Sequence, residues 1–232
     1  MRVLVVFILL VCLGCNLQAN RQNLDGRRCF EMGAYNQALQ SFQMALQSDP
    51  SNANAHYNIG RTLHHLAKSS NNTQQLQQAE TAYRTALRMD PMHPQAHRGL
   101  AVLLAENKRT NEAFASLNTW SQIQPFSAEP KIELARLYTE FGDKSAAIQV
   151  LSDALVIDND NDRALRAIGA LREEAGEIRQ AVYDYQRSLQ LNPMQPELAT
   201  RLAQLQLKTG IAPLPISSVN RIAAAPDFPR FH

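Results

Sequence analysis

Cysteine is scarce in this chain of 232 residues, which holds three in all. That number is too small for the disulfide framework of a compact secreted domain. Charge of one sign is also lacking, because 23 lysines and arginines stand against 21 aspartates and glutamates. A net charge of +2 provides no strongly basic surface, so we expect no nucleic-acid partner.

The sequence also lacks the short motifs that mark common active sites. It has no glycine-rich phosphate loop, no Gly-x-Ser-x-Gly elbow and no His-Glu-x-x-His pair. Five of the six histidines lie between 56 and 97, but the adjacent His64 and His65 cannot point the same way on a helix. Glu173 and Glu174 are typical of a solvated helix face. The sequence therefore predicts a protein that is not an enzyme, with no metal, no cofactor and no small-molecule substrate.

One long apolar run occurs, at the amino terminus. Met1-Arg2 precedes the run from Val3 to Leu13, and Gly14-Cys15 follows it. A run of this length falls short of the roughly 20 residues that span a bilayer. A charged start followed by a short apolar run is instead typical of a secretory signal. We therefore interpret 1–15 as a signal peptide.

The end of this segment, Leu13-Gly14-Cys15, resembles a bacterial lipobox. The resemblance implies that Cys15 is lipidated and that the signal is cut before it. Asn16 follows Cys15, at the position where lipoproteins retained in the inner membrane have aspartate. The resemblance therefore implies an outer-membrane anchor facing the periplasm. Two alternatives stay open: cleavage after Ala19, which would release a soluble periplasmic or secreted protein, and no cleavage at all.

A pattern with a fixed period fills most of the chain. Its first copy is a turn glycine at Gly33, an amphipathic segment with Ala38, Phe42 and Ala45 on one face, and a stop at Pro50. The small residue returns at Ala79, Ala113, Ala147 and Ala181, which are 34 residues apart from one another. The larger apolar residue returns at Tyr83, Leu117, Leu151 and Tyr185, and the stop returns at Pro91, Pro125, Asn159 and Pro193.

This period, with its small, aromatic and proline positions, resembles the tetratricopeptide repeat. The resemblance implies an all-α fold, a right-handed superhelical solenoid of antiparallel helix pairs, with five repeats and a C-terminal capping helix. The repeats are predicted at 19–52, 53–93, 94–127, 128–161 and 162–195, with the capping helix at 196–210 and a proline-rich mobile tail at 211–232. The capping helix is expected to carry a polar outer face.

The first helix of each repeat needs a minimal side chain where the second helix packs against it. The structural repeat positions are predicted to be Gly26, Ala38, Gly60, Ala79, Ala101, Ala113, Ala135, Ala147, Gly169 and Ala181. Repeat two is seven residues longer than the others, and its extra residues near 69–75 are polar, which predicts an enlarged turn between its helices. An extension of the second helix through Gln77 and Gln78 stays open beside it. Trp120 stands where the family has a small residue, and we expect it to widen the packing. His56 and His97 are interpreted as aromatic core residues.

The resemblance also implies where a partner would bind, because first helices line the concave face of such an array. Carried over position by position, the peptide-binding groove is predicted to comprise Asn23, Arg27, Phe30, Tyr57, Arg61, His64, Arg98, Val102, Ile132, Arg136, Arg163 and Arg166. Arginines among apolar residues suit carboxylates and backbone carbonyls of an extended peptide. The expected partners are a protein or peptide client and, through the lipid, a membrane.

These features together predict a protein–protein interaction scaffold, acting as a lipid-anchored envelope adaptor. In layout it resembles repeat lipoproteins that serve pilus, outer-membrane or peptidoglycan machinery. The alternatives are a soluble exported binding protein and an accessory subunit of an enzyme encoded elsewhere.

Overall fold

The computed structural model describes the backbone of residues 2–211 and the side chains of residues 17–211. Over this range the chain forms eleven α-helices and no strand, so the predicted all-α fold is confirmed. The chain divides into two compact units, residues 1–125 and residues 126–232. Two predictions lie outside the described residues: the tail beyond residue 211, and the side chains of the signal segment, including Cys15.

The first unit contains three helix pairs. Within each pair the two helices pack against each other, and consecutive pairs make further contacts. The helices are α1 (Arg2–Glu31), α2 (Tyr35–Ser48), α3 (Ala53–Ser70), α4 (Thr73–Met89), α5 (Pro94–Glu106) and α6 (Thr110–Ile123). None of the helices, as far as the structure describes the chain, combines the length and apolar character that a membrane span needs.

The second unit contains two helix pairs and one further helix. The helices are α7 (Glu129–Glu140), α8 (Lys144–Ile157), α9 (Asp162–Glu174), α10 (Ile178–Leu191) and α11 (Pro196–Thr209). A core of small and branched residues joins α7, α8 and α9, with Ala135, Ala147 and Ile168 at most 1% exposed. A second core joins α10 and α11 through Tyr185, Leu198 and Leu202.

Short polar side chains begin several of these helices. Asn52, Asp143 and Asn161 each accept a hydrogen bond from a backbone N–H in the first turn of the following helix. Such caps satisfy amides that have no partner inside the helix. Prolines in the first turns of α5, α7 and α11 add a preset backbone angle. The helix boundaries therefore follow from local sequence.

The close helix contacts depend on glycine beneath an aromatic ring. A Cβ atom added at Gly60 of α3 would lie 2.8 Å from the Tyr83 ring of α4, and one at Gly99 of α5 would lie 2.7 Å from the same ring. Real Cβ atoms do not approach so closely, so the two glycines let one tyrosine fill the space between three helices. Gly99 was not among the predicted structural positions.

Trp120 is accommodated by stacking. Its side chain is fully buried, and its ring lies parallel to that of His97, with centroids 4.7 Å apart and planes inclined by 7°. The indole N–H donates to Gln124 Oε1 at 3.1 Å. His97 Nε2 lies 2.9 Å from the Pro91 carbonyl, and the equivalent His56 Nε2 lies 3.0 Å from that of Pro50. His97 is thus a core residue as predicted, whereas His56 is half-buried.

The extra length of repeat two lies in its helices, and the prediction of an enlarged turn near 69–75 was wrong. Helix α3 has 18 residues and α4 has 17, whereas α5 has 13 and α6 has 14. Only Asn71 and Asn72 separate α3 from α4. Seven residues correspond to about two helical turns, so each helix of an antiparallel pair gains about one turn and the two stay matched in length.

Candidate functional site

The second unit carries a groove along its first helices. Four of the predicted binding residues, Ile132, Arg136, Arg163 and Arg166, line one cavity of about 460 Å³ between α7 and α9. Small and apolar side chains, including Ala135, Ala167, Ala170 and Leu171, form much of the remaining lining. The prediction therefore identified residues that the fold brings together. We call this surface the α7–α9 groove.

Two of its arginines are held by carboxylates of the same unit. Arg163 donates to Glu129 and, at 3.0 Å, to Glu133. Arg136 donates to the same Glu133 at 3.1 Å and to Glu140 at 3.4 Å. Because the Glu133 side chain is only 3% exposed, its charge requires such partners. Burial alone would lower the pKa of Arg163, but the bonds to Glu129 and Glu133 raise it above its ordinary value.

Arg166 differs from these two residues. It is exposed, lines the α7–α9 groove, and has no hydrogen bond or ion pair to any other described residue. It also lines a second cavity of about 460 Å³, which α9 shares with the start of α11, together with Ala170, Tyr185 and Arg201. Arg201 is paired with Glu173, which also accepts a hydrogen bond from the Tyr185 hydroxyl at 2.9 Å. Among the described residues that line the α7–α9 groove, Arg166 is therefore the arginine without an internal carboxylate partner.

In the first unit, the predicted binding residues mostly contact one another or the core. Asn58 donates to Asn23 at 2.9 Å, and the Arg61 guanidinium lies 4.0 Å from the centre of the Phe30 ring. Tyr57 lies beside Tyr83 and His93. Arg27 is exposed on α1, and Arg98 and Val102 are half-buried on α5.

His64 is part of a charged cluster in the first unit. It is 8% exposed, and its Nε2 lies 3.1 Å from Glu106, which also accepts a hydrogen bond from Lys68 at 2.7 Å. Burial lowers the pKa of His64 below its ordinary value, although the hydrogen bond to Glu106 opposes the shift. His64 is therefore a packed residue rather than an open groove residue.

The predicted structural positions are all buried. A Cβ atom added at Gly26 would lie 2.5 Å from the Phe42 ring, and one at Gly169 would lie 2.8 Å from the Tyr185 ring. The seven alanines at these positions are at most 1% exposed.

Sequence reasoning missed one further surface, in the first unit. A cavity of about 740 Å³ lies between the second helices α4 and α6, lined by Arg84, Arg88, His97, Ser116 and Ile123 among others. His97 contributes a buried Nδ1 atom without a hydrogen-bond partner among the described residues. The prediction considered first helices alone, so no part of it pointed here.

Comparison with known proteins supports the repeat assignment. Residues 26–66 match the family described as TPR repeat, and residues 72–128 match the family described as tetratricopeptide repeat. No curated protein matches the chain.

Solved structures resemble it at low sequence identity. The thermophilic TPR protein TTC0263 of Thermus thermophilus is 21% identical, with a TM-score of 0.61, and the match covers 82% of this chain and 99% of that one. PilF of Pseudomonas aeruginosa is 19% identical, with a TM-score of 0.57 and coverage of 91% and 99%. MamA of Desulfovibrio magneticus RS-1 is 18% identical, with a TM-score of 0.51 and coverage of 77% and 97%. Similarity at this level establishes the fold alone. The chain thus has the fold of these tetratricopeptide-repeat proteins, and its residues 26–66 and 72–128 match models of that repeat.

Proposed function

We propose that this protein is a lipid-anchored adaptor of a bacterial cell envelope. In this proposal Cys15 carries the lipid, and the α7–α9 groove binds an extended peptide or partner helix of a client. The adaptor thereby assists assembly of an envelope complex of the pilus, outer-membrane or peptidoglycan type. A soluble exported binding protein, or an accessory subunit of an enzyme, would share the same groove.

The observation that carries the binding proposal is the unpaired Arg166 in the α7–α9 groove. The other groove arginines, Arg136 and Arg163, neutralise Glu133 and its neighbours. A client carboxylate therefore needs to displace no internal partner in order to pair with Arg166. Planar bidentate pairing with a carboxylate is the contact that arginine makes best.

The apolar side chains of the groove determine which residues of the client segment lie next to its carboxylate. Ala167 and Ala170 follow Arg166 on α9 and line the cavity with Ile132 and Leu171. Small side chains leave room for a peptide backbone, and the branched ones offer apolar contact. The expected client segment thus carries an aspartate, glutamate or terminal carboxylate next to an aliphatic or aromatic residue.

The buried position of Ala19 supports the proposed cleavage before Cys15. Ala19 is fully buried in α1, so cleavage before Cys15 keeps it in the packed array. Cleavage after Ala19 would remove it and leave a gap in that packing.

The binding proposal is tested with a displayed library of random short peptides, selected on the wild-type protein. We expect the selected peptides to carry a carboxylate beside an apolar residue, and Arg166→Glu to weaken their binding by about 10- to 100-fold. Arg179→Glu is the matched control, because Arg179 is an exposed arginine on the second helix of the same repeat. Selected peptides that bind Arg166→Glu as tightly as the wild type would refute the groove assignment.

A further inference from the structure

The cavity between the second helices of the first unit is a candidate site of its own. It measures about 740 Å³, and its floor is formed by His97 and Leu100 of α5, which are both buried. Its walls are one face of α4, from Thr81 to Arg88, and one face of α6, from Glu112 to Ile123. We call this surface the α4–α6 groove.

Each wall has the spacing and the length of a short helix face. Thr81, Thr85 and Arg88 follow one another at intervals of four and three residues on α4, and the lining residues of α6 recur in the same way from Glu112 to Ile123. At about 1.5 Å per residue, these walls are about 10 Å and about 16 Å long. A groove of this kind between two helices matches a third helix of about three turns.

The side chains of the walls are short. Thr85 and Ser116 are half-buried, and Ala115 and Thr119 are exposed, so the backbone of an incoming helix can approach both walls closely. The corresponding cavity between α2 and α4 differs, because its lining includes longer polar side chains: Gln43, Gln74, Gln77 and Gln78. The α4–α6 groove is therefore the more open of the two to a helix.

Most of the charge around the α4–α6 groove is compensated within the first unit. Arg84 donates to Glu80 at 2.8 Å and lies 3.9 Å from Glu112. Arg109 donates to Glu80 at 2.6 Å and to Glu112 at 2.6 Å. These arginines and glutamates thus form one network without net charge. Burial lowers the pKa of His97 below its ordinary value, so its ring adds no charge at neutral pH.

Arg88 is the uncompensated charge of the groove. Its side chain is exposed and donates to the Thr85 hydroxyl at 2.9 Å, and no carboxylate among the described residues pairs with it. It lies in the last turn of α4, and Pro91 and Ile123 add apolar lining to the same groove. An acidic residue of a ligand can therefore pair with Arg88 without displacing an internal ion pair.

Exposed apolar side chains surround this end of the groove. Met89, Met92 and Ile123 are all exposed. The Gln124 side chain lies 3.5 Å from the Met92 carbonyl, which brings the end of α6 beside the turn that follows α4. Methionine side chains are flexible and adapt to different apolar partners. The apolar rim and the cation together favour an amphipathic, acidic ligand.

We propose that the α4–α6 groove binds an amphipathic helix of a partner protein, with an aspartate or glutamate of that helix paired to Arg88 and aliphatic residues packed on Leu100 and Ile123. The helix lies along the short side chains of the two walls. The inference is independent of the α7–α9 groove, because the two surfaces belong to different units and different helices. It gives the protein a second binding surface, which is formed by second helices.

A displayed library of helices tests the site. Each member presents one helix of about three turns on a stable helical scaffold, with the residues of one face randomised, and the selection uses the full chain. Binders that Arg166→Glu weakens belong to the α7–α9 groove and are set aside. We expect the remaining binders to carry an acidic residue next to leucine, isoleucine or methionine.

Ala115→Arg and Asn118→Arg form a matched pair of variants for these binders. Both residues are exposed on α6, but only Ala115 lines the groove, so an arginine at 115 blocks the helix and one at 118 does not. We expect Ala115→Arg to weaken binding by about 10- to 100-fold and Asn118→Arg to leave it unchanged. Thermal unfolding followed by circular dichroism verifies that both variants are folded. Binders that hold Ala115→Arg as tightly as the wild type would overturn the proposal.

Charge exchange at Arg88 tests the ion pair. Arg88→Glu should weaken the selected helices by about 10- to 100-fold. A new selection on this variant should then yield helices with lysine or arginine in place of the acidic residue. The same acidic helices from both selections would contradict the proposal.

Other occupants of the groove give distinct results, each of which overturns the proposal. If random short peptides yield binders that Ala115→Arg weakens and the helix library does not, the occupant is an extended segment. If sedimentation shows a wild-type dimer that Ala115→Arg dissociates, the occupant is a second copy of this chain. If neither library yields a binder that responds to Ala115→Arg and the protein is monomeric, the groove is not a docking site.

Discussion

At the scale of single residues, the turn between α5 and α6 carries backbone strain. Lys108 has φ of +60°, at the position where repeats one, four and five have glycine. A residue with a Cβ atom carries a steric cost in this left-handed conformation, and glycine does not.

Lys108→Gly should therefore stabilise the protein. We expect the free energy of unfolding to rise by about 0.5–1 kcal/mol, after allowing for the greater freedom of glycine in the unfolded chain. Urea unfolding followed by circular dichroism measures the change. The reverse exchange, Gly142→Lys, is the control and should destabilise by at least as much. A loss of stability in Lys108→Gly would show that the lysine side chain contributes contacts that exceed the backbone cost.

A second residue-scale effect concerns Asp184 on α10. Its side chain is 4% exposed and lies 2.6 Å from Arg172. Burial raises the pKa of Asp184 from 3.8 to about 6, and the Arg172 charge offsets only part of that shift. Because the folded carboxyl holds its proton more tightly than the unfolded one, its contribution to stability falls as the pH rises from about 4 to about 6.

Asp184→Asn should remove this dependence. We expect the stability of the variant relative to wild type to increase by about 1–3 kcal/mol between pH 4 and pH 6.5, and urea unfolding at several pH values measures it. Titration of the buried His64, His93 and His97 is common to both proteins and cancels in the difference. Glu174→Gln, at an exposed carboxylate, is the control. A relative stability that decreases over the same range would mean that Arg172 lowers the pKa of Asp184 below 3.8.

The groove illustrates how much of a site could be predicted from the sequence. The resemblance to the repeat family implied that Ile132, Arg136, Arg163 and Arg166 lie on one surface, because first helices line one face of such an array. It could not tell that Arg136 and Arg163 share Glu133, since Arg163 lies in a different repeat from Glu133 and both pairings depend on side-chain geometry. For the same reason, nothing in the repeat pattern indicates that Arg166 is the groove arginine without an internal carboxylate partner.

At the scale of helices, the period predicted which segments are helical. It did not predict whether the extra residues of repeat two lengthen the turn or the helices. The polar residues 69–75 were assigned to a turn because Ser, Asn and Thr favour turns. Asn71 and Asn72 do provide the turn, with Asn72 capping α4, and the remaining residues extend the two helices. The turn preference of these residues therefore located the turn correctly. The turn is short because the extra residues lengthen both antiparallel helices instead.

The packing of second helices leads to an element-scale prediction. Ala147 on α8 is fully buried in a core with Ala135 and Leu151. Ala147→Trp would force an indole into a space sized for a methyl group, and overpacking of this kind costs about 1–3 kcal/mol or more. We expect a lower urea midpoint, measured by circular dichroism, and faster amide exchange in α7, α8 and α9.

The control is Ser145→Trp, at an exposed position on the same helix. It should change the free energy of unfolding by no more than about 0.5 kcal/mol. An Ala147→Trp protein with the stability of the control would mean that Ala147 does not lie at a close helix contact, and that the repeat register is displaced.

At the scale of the whole molecule, α1 contains both the proposed signal segment and the first helix of repeat one. It runs from Arg2 to Glu31, so the apolar segment that we interpret as a signal and the first helix of the first repeat are one continuous element. If cleavage occurs before Cys15, only a few residues separate the lipid from Ala19, which is already packed in the array. The repeats would then lie close to the membrane surface, within reach of clients that are themselves membrane-bound.

The anchor is tested on the protein produced with its own amino terminus in a bacterial host, as wild type and as Cys15→Ser. We expect wild type in the membrane fraction, with an intact mass that includes a diacylglyceryl group and lacks residues 1–14, and the variant outside that fraction without the added mass. A lipidated cysteine with acyl chains partitions into a bilayer because each buried methylene contributes about 0.8 kcal/mol, whereas a serine at this position offers no thiolate for attachment. Wild type that is soluble and begins at Asn20 would instead indicate cleavage after Ala19. The search for clients would then move from membrane-bound assemblies to the periplasm or the medium, while the role of Arg166 would stand unchanged.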